Sequence, residues 1–130
     1  MTVGYYKPGT NEFCLQTFLT GKDRIKTFSD KFDPFKLPAP CLWLMDGTGI
    51  SVQAGPSLYC TPKDLYGPYY SVEVGYPTRE IKELLPYAEE SERPTGTVYG
   101  YVPVELVEKI IADAGGVCVE LTIFRDRGYQ

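Results

Sequence analysis

The sequence predicts a small single α+β domain, mainly an antiparallel sheet packed by two or three short helices. Three stretches carry that prediction. Tyr69–Tyr76 (YYSVEVGY) alternates, with Tyr70, Val72 and Val74 on one face and Tyr69, Ser71, Glu73 and Gly75 on the other. One face is apolar and one mostly polar, which is the pattern of an antiparallel strand half open to solvent. From Cys41 to Ala54 an apolar run (CLWLM), a turn (Asp46-Gly47-Thr48-Gly49) and an alternating run (ISVQA) follow one another. That order is the strongest short-range hairpin signal. Finally, Val104, Val107, Ile110, Ile111 and Ala114 recur at helical spacing between Pro103 and Gly115. Proline suits a first helical position, and glycine the left-handed residue beyond a helix end.

The remaining elements are read in order. Residues 1–10 look extended, punctuated by Gly4, Pro8 and Gly9. Over 13–19 a strand is favoured, Phe13, Leu15, Thr17 and Leu19 alternating with Cys14, Gln16 and Phe18; the alternative is a short helix capped by Asn11. Ile25, Phe28 and Phe32 stand at i, i+3 and i+7, which predicts an amphipathic helix within Gly21–Phe35, begun by Asp23 and ended at Asp33-Pro34. Pro34, Pro38 and Pro40 make a stiff connector to the hairpin. Residues 55–68 are a loop, interrupted by Gly55, Pro56, Pro62, Gly67 and Pro68. Thr78 opens a helix of about two turns, limited by Pro86. Glu89 to Pro94 is an exposed acidic loop, Thr97–Tyr101 a strand, and Val117–Phe124 a last strand with Val117, Val119, Leu121 and Ile123 facing one way.

At 130 residues the chain fits one domain, 1–130, able to bury about two thirds of its unfolded surface. Residues 51–124 read as its core and 1–50 as an added segment. The net charge of −4 repels phosphate backbones, so broad binding to DNA or RNA is not expected. No apolar run approaches the length of a membrane span. The N-terminus lacks the charged-then-apolar order of a leader, so reduced thiols and a cytoplasmic location are expected.

The chemistry is defined largely by what is missing. Cys14, Cys41, Cys60 and Cys118 form no C-x-x-C pair, and there is no histidine. Neither a metal site nor a cofactor is expected, and Ser-His or Cys-His catalysis in its usual form is excluded. No phosphate-binding G-x-x-x-x-G-K-[ST] run exists, and Gly47-Thr48-Gly49 belongs to the hairpin turn. The carboxylate pairs Glu80/Glu83 and Glu105/Glu108 lie on polar helix sides; Glu73 is the better candidate for a specific contact. No catalytic residue is assigned.

One constellation points to binding. Tyr59, Lys63, Tyr66, Tyr69 and Tyr70 lie in or beside the 55–70 loop, and Arg79 and Arg93 flank the short helix. Aromatic faces near guanidinium groups suit a stacked base, a small nucleotide ligand or a protein hot spot. In the opposing reading the tyrosines pack a thin sheet and the arginines pair with Glu89, Glu90 and Glu92.

The words SVQA, YCTP, GPYYSVEVGYP and TGTVYGYVPVELVEKIIADAGG, in that order over Ser51 to Gly116, resemble short accessory proteins of tailed bacteriophages and prophages. The resemblance transfers no functional residue. It implies a viral setting in the host-cell cytoplasm and an anti-defence role: a non-enzymatic inhibitor that binds a host protein. The alternatives are a nucleotide-signal sponge, working as a homo-oligomer with a small nucleotide between Tyr and Arg side chains, and a small nucleotide-cleaving enzyme.

Overall fold

In chain order, the computed structural model builds α1 (Leu15–Thr20), β1 (Ile25–Thr27), β2 (Pro34–Lys36), β3 (Leu42–Trp43) and β4 (Gly49–Gln53). There follow β5 (Ser71–Gly75), a 3-10 helix (Lys82–Tyr87), β6 (Val98–Pro103), α2 (Val104–Asp113) and α3 (Val119–Asp126). The structure describes Tyr6 and residues 12–20, 25–27, 34–36 and 38–126. The main sheet is antiparallel with order β3-β4-β5-β6, and β1 and β2 pair separately. Its inner face presents Leu42, Ile50, Val52, Val72, Val74, Tyr99 and Val102, all buried. Leu15, Phe18 and Leu19 of α1, Val107 and Ile110 of α2 and Leu84 of the 3-10 helix complete one continuous core. Each such aliphatic or aromatic side chain contributes about 1.5–3 kcal/mol on burial.

The hairpin forms as expected, with Leu42 opposite Ile50 and Trp43 opposite Gly49. Its turn is fixed by Gly47 at φ +93° and by the Thr48 N–H, which donates to Asp46 Oδ1 at 2.9 Å. That hydrogen bond, ahead of the nearby Arg79 charge, holds the Asp46 carboxyl below its ordinary pKa. The helix α2 also forms where the apolar spacing puts it, and Gly115 at φ +91° turns the chain beyond it.

Four expectations change. Residues 15–20 are helical rather than a strand, because Leu15, Phe18 and Leu19, at i, i+3 and i+4, bury together. The helix read within 21–35 does not form where the chain is described. There Ile25 pairs with Lys36, Lys26 with Phe35 and Thr27 with Pro34; β-branched Ile25 and Thr27 favour the extended form, and Pro34 takes the strand-start position open to proline. Asp23, Phe28 and Phe32 lie outside the described residues, as does the 1–10 segment apart from Tyr6, which bridges Phe13. The helix read from Thr78 shortens to a 3-10 helix over Lys82–Tyr87 that contains Pro86. Thr78 serves the hairpin instead, its Oγ1 accepting the Gly49 N–H at 2.9 Å.

The fourth change is at the C-terminal end, where 119–126 is helix α3 rather than a strand. Only Val117 makes a bridge, to Leu44. Beyond it Val119 and Thr122 turn inward, one helical turn apart. The outer edge of β3 is then satisfied by this segment: the Cys118 N–H donates to the Trp43 carbonyl at 2.7 Å and Thr122 Oγ1 accepts the Trp43 N–H at 3.0 Å.

Candidate functional site

The site begins with a mismatch between β5 and β6. Val72 pairs with Val102 and Val74 with Tyr99, so two steps along β5 match three along β6. The extra residue makes a bulge at Gly100-Tyr101, and Tyr101 adopts φ +54°, a left-handed conformation unusual for a bulky side chain. The bulge turns the Tyr101 N–H out of the ladder, where it donates to the Tyr59 carbonyl at 3.0 Å.

The 55–68 loop is thereby drawn across the outer face of the sheet. The Tyr59 N–H donates to Glu73 Oε1 at 3.1 Å, a contact by which Glu73 holds the loop within the fold. Tyr59 packs on Gly100, where an added Cβ would lie 3.2 Å from the Tyr59 Cβ. The rings of Tyr59 and Tyr101 stand 6.0 Å apart between centroids, tilted by 39°. Lys63 Nζ lies 5.5 Å from the Tyr59 centroid and 5.4 Å from that of Tyr101, and donates to the Leu58 carbonyl at 3.0 Å. Both distances are within cation–π reach. Tyr59 stays 46% exposed and Tyr101 47%. Tyr70, 69% exposed, is joined to the same region by its backbone: its N–H donates to the Thr61 carbonyl and its carbonyl accepts the Val104 N–H.

Among the residues singled out in the sequence, then, Tyr59 and Lys63 meet, with Tyr70 on an adjoining segment. Tyr66 is exposed elsewhere, beside a small cavity of about 350 Å³ shared with Gln16, Thr20, Gly67 and Pro68. Tyr69 is a core residue, 1% exposed. Gln16 clamps its backbone, Oε1 accepting the Tyr69 N–H at 2.9 Å and Nε2 donating to its carbonyl at 2.6 Å. Its hydroxyl donates to the Asp64 carbonyl at 2.7 Å. Burial, then the neighbouring Cys60 and Asp64, push its pKa up to about 12.

The arginines belong to turns. Arg79 Nε donates to Thr48 Oγ1 at 2.9 Å, and its guanidinium lies 3.6 Å from Asp46. Arg93 pairs with Glu90 at 3.2 Å, as the opposing reading of the arginines anticipates. Sequence reasoning missed Tyr101, which reads simply as the end of a strand. The glycine beside it was the available signal, since glycine inside a strand often marks a bulge.

The ring pair bounds what this arrangement can hold. A planar group sandwiched between two rings needs about 7 Å between them; at 6.0 Å and 39° Tyr59 and Tyr101 touch each other and leave only their outer surfaces to a ligand. No disulfide joins the four cysteines, and Cys60 is buried. Among the described residues, no helix is long and apolar enough to cross a membrane. Comparison of the chain with protein-family models, curated proteins and solved structures found no match.

Proposed function

We propose that this chain acts by stoichiometric, non-catalytic binding of another protein through the patch formed by Tyr59, Lys63 and Tyr101, with exposed Tyr70 on the adjoining segment. In the phage setting that its sequence resembles, the partner is a host defence protein and binding inhibits it. The observation that carries this reading is the half-exposed Tyr59–Tyr101 pair, held from below by the Tyr101 N–H on the Tyr59 carbonyl and by the Tyr59 N–H on the Glu73 carboxylate. Tyrosines dominate protein hot spots because they bring a large contact surface with few rotatable bonds. Rings already ordered lose less freedom on binding. The nucleotide reading draws less support, since Arg79 pairs with Asp46 of the hairpin turn and Arg93 with Glu90 of its own turn.

The test is affinity capture from the lysate of a permissive host with the wild-type chain and with Tyr59→Ala/Tyr101→Gly. The expected result is one host protein recovered in stoichiometric amount by the wild type and lost with the double variant. Capture that ignores the two tyrosines places the interface elsewhere. A thermal shift with a cyclic dinucleotide or an ADP-ribose derivative, and no captured protein, replaces this reading by the nucleotide one.

A further inference from the structure

Resting on that reading, we infer that Lys63 is the charge-recognising element of the tyrosine patch and that the protein partner presents a carboxylate to it, on a segment with an aromatic or aliphatic neighbour. An ammonium carries three N–H donors. That of Lys63 has one acceptor among the described residues, the Leu58 carbonyl at 3.0 Å.

Among the described residues, three other cations are matched to carboxylates: Arg79 with Asp46, Arg93 with Glu90, and Lys109 with Glu83 and Asp113. Lys63 is matched to two aromatic faces instead. Two carboxylates of the neighbouring segments face backbone donors, Glu73 the Tyr59 N–H at 3.1 Å and Asp64 the Tyr66 N–H at 3.5 Å.

The result is an exposed, oriented positive charge bordered by apolar ring surface. Its complement is a negative side chain flanked by an apolar one. A carboxylate fits better than a phosphate group, because phosphate recognition draws on several donors, such as an arginine fork or a helix N-terminus. Among the described residues, the patch holds a single ammonium.

The test selects short random peptides displayed on a surface against the full-length chain, with an unrelated acidic domain as control. Enriched sequences are resynthesised and their binding measured by fluorescence anisotropy. The expected result is enrichment of peptides with Asp or Glu beside an aromatic or aliphatic residue. Changing that Asp to Asn in the peptide, or Lys63→Met in the chain, then weakens binding about tenfold each. The two changes together lose little more than either alone, the mark of a direct pair, and Lys63→Arg, which keeps the charge and its attraction to the rings, holds binding within about threefold.

Enrichment without acidic residues, preference for phosphorylated over acidic versions of the selected peptides, or equal binding by Lys63→Met overturns the assignment. The patch itself survives those results if Tyr59→Ala and Tyr101→Gly still abolish binding. Peptides that ignore both tyrosines, or no enrichment over the control domain, overturn the patch and the assignment together. Lys63 is exposed, and thermal melts of both Lys63 variants check that the fold is retained.

Discussion

Tyr101 carries a conflict between conformation and side chain. A left-handed residue other than glycine costs about 1–2 kcal/mol, and this one sits in a half-exposed ring pair where burial returns little of that. Tyr101→Gly is therefore expected to change stability by less than about 1 kcal/mol in urea denaturation, the relieved backbone offsetting the lost ring contact, while abolishing partner capture. A large loss of stability would make Tyr101 a scaffold residue instead. Tyr69 makes the opposite case. Tyr69→Phe removes only the hydroxyl that satisfies the Asp64 carbonyl, and about 1 kcal/mol of stability should go with it, read from the urea midpoint. The two residues were equally hard to place from the sequence. Tyr69 looks like the first residue of an alternating strand, yet the ladder starts at Ser71, and the Gln16 clamp, far away in sequence, fixes Tyr69 inward and leaves Tyr70 outside. Tyr59 and Lys63 were legible because a tyrosine-rich loop broken by proline cannot be all core.

Among the elements, the hairpin and α2 came through, whereas the helical spacing of Ile25, Phe28 and Phe32 made no helix where the chain is described. The D-G hairpin and α2 are fixed by local chemistry, and little in the surroundings competes with it. Residues 13–19 and 117–124 satisfy two periods at once, since a short apolar run alternates and also places residues at i, i+3 and i+4. Tertiary contacts decide between them: α1 buries Leu15, Phe18 and Leu19, and α3 is chosen by what the β3 edge requires. Thr122 carries that requirement, being fully buried with its hydroxyl on the Trp43 N–H. Thr122→Val should destabilise by about 1–3 kcal/mol through the orphaned N–H, whereas Thr122→Ser keeps most of the stability. Equal losses for the two would assign the effect to packing alone. On the outer face, a Cβ at Gly49 would lie 2.7 Å from the Trp43 ring. Gly49→Ala is expected to cost about 1–3 kcal/mol, and much less in a Trp43→Ala background; additive losses in that cycle would show the ring moves aside freely.

For the molecule as a whole, two buried phenols set an alkaline limit. Tyr69 donates to the Asp64 carbonyl and Tyr99 to the Pro94 carbonyl. Burial raises both pKa values, with Glu80 adding to the effect at Tyr99 and Tyr69 reaching about 12 from an ordinary 10.0. A group whose pKa is raised by folding holds its proton more tightly in the native state, so its contribution is complete below pH 10 and is lost as pH climbs towards 12. Urea midpoints should accordingly fall between about pH 10 and 12, and less steeply in Tyr69→Phe, in which one of the two native-state protons is gone. A midpoint flat across that range would mean that these phenols ionise freely in the folded state.

The covered sheet edges have a consequence for what substitutions at this surface can do. The segment from Gly116 to Thr122 occupies the free side of β3, and Ala88 and Glu89 lie along β6, leaving an incoming chain little open backbone there on which to add a strand. Whatever docks on this face must be read by side chains. Backbone pairing is nearly indifferent to sequence, but a vocabulary of rings and one ammonium can be rewritten a codon at a time while the scaffold beneath keeps its shape. Such a surface can follow a target that itself keeps changing.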